Sequence, residues 1–132
     1  MKKDCDDRMA YYYVYSTGPV ENSFGAGQPG VAQTVFVKAL NNSRCHRAKV
    51  IIRLYRLNGT KTLVTRTTLS LAALASGFAE LDVADLFQYE IQITTFSKKV
   101  LVSVWGKDAD GVPLASQRFT QAELHKTVKR YC

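Results

Sequence analysis

Phe87-Gln88-Tyr89-Glu90-Ile91-Gln92-Ile93-Thr94 is the stretch that decides the fold. Apolar and polar residues alternate one for one, and successive side chains of a strand point to opposite faces. Phe87, Tyr89, Ile91 and Ile93 therefore read inward, and Gln88, Glu90, Gln92 and Thr94 outward. The same period recurs on both sides. Upstream, Phe78 to Val83 places Ala79, Leu81 and Val83 inward, leaving Glu80 and Asp82 on a solvated face. Lys49 to Leu57 places Val50, Ile52 and Leu54 inward and runs into Asn58-Gly59, a strong hairpin signal. Thr62 to Leu69 is the return strand, and Thr34 to Leu40 is a strand ended by Asn41-Asn42-Ser43. Downstream, Val100 to Trp105 turns at Asp108-Ala109-Asp110-Gly111 and returns through Leu114 to Phe119. Trp105, Phe87, Tyr89 and Tyr55 are expected in or near the core.

Seven or eight short strands with almost no helix predict antiparallel pairing, hairpin connections and two sheets that each bury one face. The fold class is all-β: a single antiparallel β-sandwich, jelly-roll or immunoglobulin-like. Residues 1–30 read as an N-terminal arm, an edge strand and a Gly-rich spacer, residues 31–120 as the sandwich, and residues 121–132 as a basic C-terminal tail. Thr120-Gln121-Ala122-Glu123 fits a capping box, so a helical turn is expected at the start of that tail.

The 132 residues suffice for one core, and 46% hydrophobic with 22% charged residues is ordinary for a folded domain. No apolar run reaches the length of about 18 residues needed to span a membrane. The charged start, Met1 to Arg8, lacks the apolar stretch of a signal peptide. The expected location is therefore the cell that makes the protein, or an exit such as mother-cell lysis. The net charge of +7 fits either plain solubility or an acidic partner.

No G-x-S-x-G, P-loop or HExxH pattern occurs. His46 follows Cys45 directly, and neighbouring strand residues point apart, so they make a poor nucleophile–base pair. His125 lies in the tail. Asp108 and Asp110 begin like a calcium loop that Val112-Pro113 does not continue. The chain is expected to have no catalytic residues, no metal and no cofactor.

Three cysteines, Cys5, Cys45 and Cys132, cannot all pair within one chain. They are either reduced thiols or inter-subunit disulfide candidates. Tyr11-Tyr12-Tyr13-Val14-Tyr15 puts rings on both faces of one strand. It is either tucked within its own fold or a docking strand for another subunit. Stacking of nucleic-acid bases is disfavoured, because cations are not interleaved with these rings.

A charged arm bearing Cys5, a spacer from Gly18 to Gly30 and a single sandwich together resemble the subunits of endospore appendages, the Ena pilus proteins of Bacillus-type bacteria. More broadly, the layout is similar to the small β-rich proteins of spore surfaces. The resemblance implies a jelly-roll subunit whose N-terminal connector forms disulfides with earlier subunits of a robust fibre. Cys5 would be the connector cysteine, with Cys45 and Cys132 as acceptors on neighbours. Here Cys5 stands alone where that family's connector carries paired cysteines, and the spacer follows the tyrosine strand. Extended, Met1 to Ala10 would span about 33 Å, the width of a small domain.

The expected function is thus a self-assembling structural subunit of a spore-surface fibre or layer. Its partners would be copies of itself and other spore-surface proteins, with neither nucleic acid nor membrane. The alternative is a monomeric sandwich module that binds carbohydrate or an acidic polymer.

Overall fold

The computed structural model describes residues 11–22 and 31–130. Ten strands run through them: β1 (Tyr11–Ser16), β2 (Val20–Glu21), β3 (Thr34–Asn41), β4 (Ala48–Leu57), β5 (Lys61–Leu71), β6 (Ser76–Asp82), β7 (Gln88–Thr95), β8 (Val100–Lys107), β9 (Pro113–Phe119) and β10 (His125–Arg130). Two antiparallel sheets pack together as an all-β sandwich. Sheet A has the order β10-β1-β7-β4-β5, with β2 also on β7, and sheet B the order β6-β3-β8-β9.

The inward positions read from the alternation form the core. Val50, Ile52 and Leu54 of β4 meet Tyr89, Ile91 and Ile93 of β7 in sheet A, and Val35 and Val37 face them from sheet B. At about 25 cal/mol per Å² of apolar surface, this burial is the main stabilising term. Two hairpins form where turn residues announced them. Gly59 has φ +77° after β4, and Gly111 has φ +80° between β8 and β9, a left-handed backbone that costs glycine little. The other links from one strand to the next mostly cross between sheets, where hairpins were expected.

The chain's two ends depart from expectation. The sequence reads Tyr11 to Tyr15 as an edge strand that is either tucked into its own fold or docked on another subunit, and residues 121–132 as a basic tail. Instead Tyr11–Ser16 and His125–Arg130 pair with each other in full register, from Tyr11 opposite Arg130 to Ser16 opposite His125. The other side of β1 pairs with β7. Boundaries drawn after residues 30 and 120 therefore do not separate the fold, because β1, β2 and β10 all belong to sheet A. β1 and β2 form one interrupted strand along β7. The break falls at Gly18, with φ +67°, and at Pro19, which has no N–H to give to a ladder.

Three aromatic placements also differ. Phe87 is 63% exposed, because Leu86 fills the core position beside it. The Phe87 carbonyl instead accepts the Asn22 N–H at 2.7 Å. Tyr55 and Trp105 are half-buried on the outer faces of their sheets, where the parity of β4 and β8 puts them.

Candidate interaction surfaces

Among the described residues no group of three or more His, Cys, Asp or Glu could hold a metal ion. His46 is exposed before β4, and His125 is exposed on β10. The Asp108 carboxylate accepts the N–H groups of Asp110 and Val112 at 2.9 and 3.0 Å, which makes it a turn residue. Glu80 and Asp82 are exposed on β6, as their parity requires.

Buried polar groups serve structure. The Asn22 amide donates to the carbonyls of Ala32, Val83 and Leu86, and its oxygen accepts from Ala32 N–H and Gln117 Nε2. The Asn41 amide donates to the carbonyls of His46, Leu71 and Ala72. Each asparagine satisfies loop backbone where the strands of the sandwich end. Burial raises the Tyr89 phenol well above its ordinary range, which fixes it as a neutral hydrogen-bond donor.

On the outer face of sheet A one carboxylate is enclosed by its neighbours. Glu90 accepts from Ser16 Oγ at 2.5 Å and Gln92 Nε2 at 3.1 Å, and pairs with Lys61 Nζ at 2.8 Å. Burial alone would raise its carboxyl. The hydrogen bonds from Lys61, Ser16 and Gln92, with the charge of Lys61, outweigh that and hold it below the usual value. The Lys61 ammonium also lies 4.4 Å from the Tyr55 ring.

The outer face of sheet B carries the exposed Phe78 ring beside the half-buried rings of Phe36 and Trp105. Phe36 and Phe78 stack at 5.5 Å, and Lys107 sits 3.9 Å over Phe36. Arg118 lies over Trp105, whose indole N–H donates to Ser103. Alternation marks these residues as outward, but only the register brings Phe36, Phe78 and Trp105 together.

Both sheets are open at their ends. Among the described residues no strand pairs with the outer sides of β5, β6, β9 or β10. β5 is the longest strand at 11 residues, and it exposes Leu63 and Val64 by 49% and 44%. The cleft of about 350 Å³ beside it is lined by Arg56, Val64, Glu80, Asp82 and Asp85, among others. At the other end of sheet A, β10 exposes Lys126, Val128, Lys129 and Arg130.

Cys45 stands exposed between β3 and β4, while Cys5 and Cys132 lie outside the described residues. The expected docking strand needs correction. Tyr11 to Tyr15 pairs with β10 along its whole length and, from Tyr13 onward, with β7 on its other side, and Tyr15 is a core residue whose hydroxyl accepts from Gln121 Nε2 at 3.2 Å. A strand with two partners has no ladder left to offer a third. The free edges belong to other strands.

No family model matches the chain, and no curated protein does. No helix among the described residues is long and apolar enough to cross a membrane. Among solved structures, the chain is similar to the crystal structure of Thermotoga maritima 1070, with 13% identity over 93% of this chain and 95% of that one and a TM-score of 0.50. It is also similar to the Anabaena sensory rhodopsin transducer, with 16% identity over 77% of this chain and 90% of that one and a TM-score of 0.44. The Thermotoga maritima likeness shows the fold alone.

Proposed function

We propose that this chain is a non-enzymatic structural subunit that assembles with copies of itself into a fibre or layer. The observation that carries the reading is that, among the described residues, no strand pairs with the outer sides of β5 and β10, the two ends of sheet A. Open edges bearing exposed apolar residues are templates for strand pairing. Joining one end to the opposite end of the next copy is a heterologous contact, which propagates unless it closes into a ring. The ends also differ in charge. β10 brings Lys126, Lys129 and Arg130, whereas the other end sets Lys61 and Arg66 of β5 beside a cleft in which Glu80, Asp82 and Asp85 outnumber Arg56. That asymmetry favours head-to-tail stacking over pairing of like ends.

Disulfides would lock such a contact. An odd number of cysteines cannot all pair within one chain, which leaves at least one of the three for a link between copies. A spore-surface setting rests on the resemblance of layout to endospore appendages.

Electron microscopy beside a non-reducing gel tests the reading. Fibres and ladders that collapse with reductant are the expected result. A reductant-insensitive monomer near the chain mass of 14.7 kDa overturns it. Deleting residues 1–10 spares β1 and asks what the preceding segment adds. A deletion to residue 15 would remove a strand of the sandwich.

A further inference from the structure

Alternation and register gather the chain's positive charge onto sheet A. In that sheet β4 holds three Lys or Arg residues, β5 two and β10 three, against Glu21 and Glu90. The strands of sheet B are nearly balanced, with Lys38, Lys107 and Arg118 against Glu80 and Asp82.

On the outer face of sheet A, Arg66, Arg53, Gln92, Ser16 and His125 stand in one row across five strands. Strands lie about 4.8 Å apart, so the row is about 19 Å long. Arg53 and Arg66 are directly opposite each other, an arrangement that destabilises a sheet. Arg53 Nη1 makes one long hydrogen bond, 3.4 Å, to Thr94 Oγ1. Glu90, the nearby carboxylate, already has Lys61, Ser16 and Gln92. Lys49 lies four residues before Arg53 on the same face, and Lys129 lies opposite Tyr12 on β10. An anionic group between the two guanidinium forks removes their repulsion and uses their paired N–H donors.

The rings on this face decide between kinds of polyanion. Tyr12 packs against Phe96 at 6.0 Å, and Tyr55 lies beneath Lys61. Single-stranded nucleic acid is held by bases stacked on open rings, and these are occupied. A polymer recognised by its charges alone fits better.

We propose that the outer face of sheet A binds a linear acidic polysaccharide, with carboxylates bridging Arg53 and Arg66 and with Lys49 and Lys129 as flanking contacts. The proposal rests on a face, whereas the assembly reading rests on strand edges, so either can fail without the other.

Equilibrium binding of the full chain to polygalacturonate tests it, with neutral dextran and an oligothymidylate as comparators. Saturable binding that weakens with salt is expected, together with a roughly tenfold loss in an Arg53→Gln/Arg66→Gln double variant. Lys38→Gln/Lys107→Gln on sheet B should bind like the parent. The proposal is overturned by absent binding, by equal binding of dextran, or by an arginine variant that binds like the parent while circular dichroism shows it folded. Tighter binding of the oligothymidylate overturns it in favour of nucleic acid.

Discussion

The Tyr89 hydroxyl of β7 donates to the Gln117 side-chain carbonyl of β9 at 2.6 Å, tying sheet A to sheet B through the core. Gln117 in turn donates to Asn22 at 3.1 Å, so one buried chain of hydrogen bonds runs from the core to the loop before β3. Tyr89→Phe removes this donor and breaks a buried hydrogen bond between the sheets. The loss should be about 0.5–1.5 kcal/mol, and urea titration should show it with an unchanged m-value. Unaltered stability would mean that water reaches Gln117.

Gly106 lies beneath the same glutamine. A Cβ there would sit 2.8 Å from Gln117 Cβ and 3.2 Å from its backbone carbonyl. The nearest atoms belong to a paired strand and cannot swing aside. Gly106→Ala should therefore destabilise by about 1–3 kcal/mol, as overpacking of cores does. A thermal melt that shows no loss would place β9 further from β8 than described.

Glu90 sets a pH dependence. Its carboxyl is held below the ordinary glutamate value of 4.5, so the unfolded chain takes up this proton first as pH falls. The contribution is fully present above that value and is lost as pH falls through the folded one. Glu90→Gln should flatten the acid limb of stability below the ordinary glutamate value of 4.5. An acid limb as steep as the parent's would assign the dependence to other carboxylates.

The sandwich was legible because a period-2 pattern states which face is buried, as Val50, Ile52 and Leu54 illustrate. Local signals held as well. Asn58-Gly59 makes its hairpin, and Thr120 with Glu123 makes its capping box ahead of a 3-10 turn at Gln121–Glu123. Contacts between distant segments were not legible. Nothing in Tyr11 to Ser16 or His125 to Arg130 announces their pairing, because ladder bonds are backbone and carry no side-chain mark. The Arg53–Arg66 pair was hidden by register. A two-residue turn at Asn58-Gly59 would pair Leu57 with Thr60 and Arg53 with Val64. The observed loop pairs Leu57 with Lys61, and a bulge between Leu54 and Tyr55 adds a second shift, bringing Arg66 opposite Arg53. A bulge adds one residue to one strand, and alternation alone does not reveal it.

That arginine pair should cost stability in the free chain. Arg66 is exposed, so Arg66→Thr removes the repulsion at little loss of packing. The variant should gain about 0.2–1 kcal/mol at low salt. Salt screens exposed charges, so the gain should shrink when the denaturation is repeated at about 1 M sodium chloride. A loss of stability would mean that the Arg66 stem packs on sheet A more than it repels Arg53.

Charge at the sheet ends makes the assembly reading directional. Lys126→Glu/Lys129→Glu reverses two exposed positions on β10. Neither takes part in the backbone ladder to β1 through its side chain, so the fold should stay intact by circular dichroism. Fibre formation should fall, because β10 would then meet Glu80, Asp82 and Asp85 with like charge. The partner substitution Glu80→Lys/Asp82→Lys should fail alone for the same reason. Mixing the two variants should restore fibres of strictly alternating copies, because every contact between unlike variants joins an acidic end to a basic one. Combining both pairs of changes in one chain restores opposite charge at every contact and should restore fibres. Rescue in the combined chain separates a charge-matched interface from simple loss of solubility, since no folding defect repairs itself by adding two further substitutions. If the combined chain stays monomeric while both parents remain folded, β10 and the β5–β6 cleft do not meet.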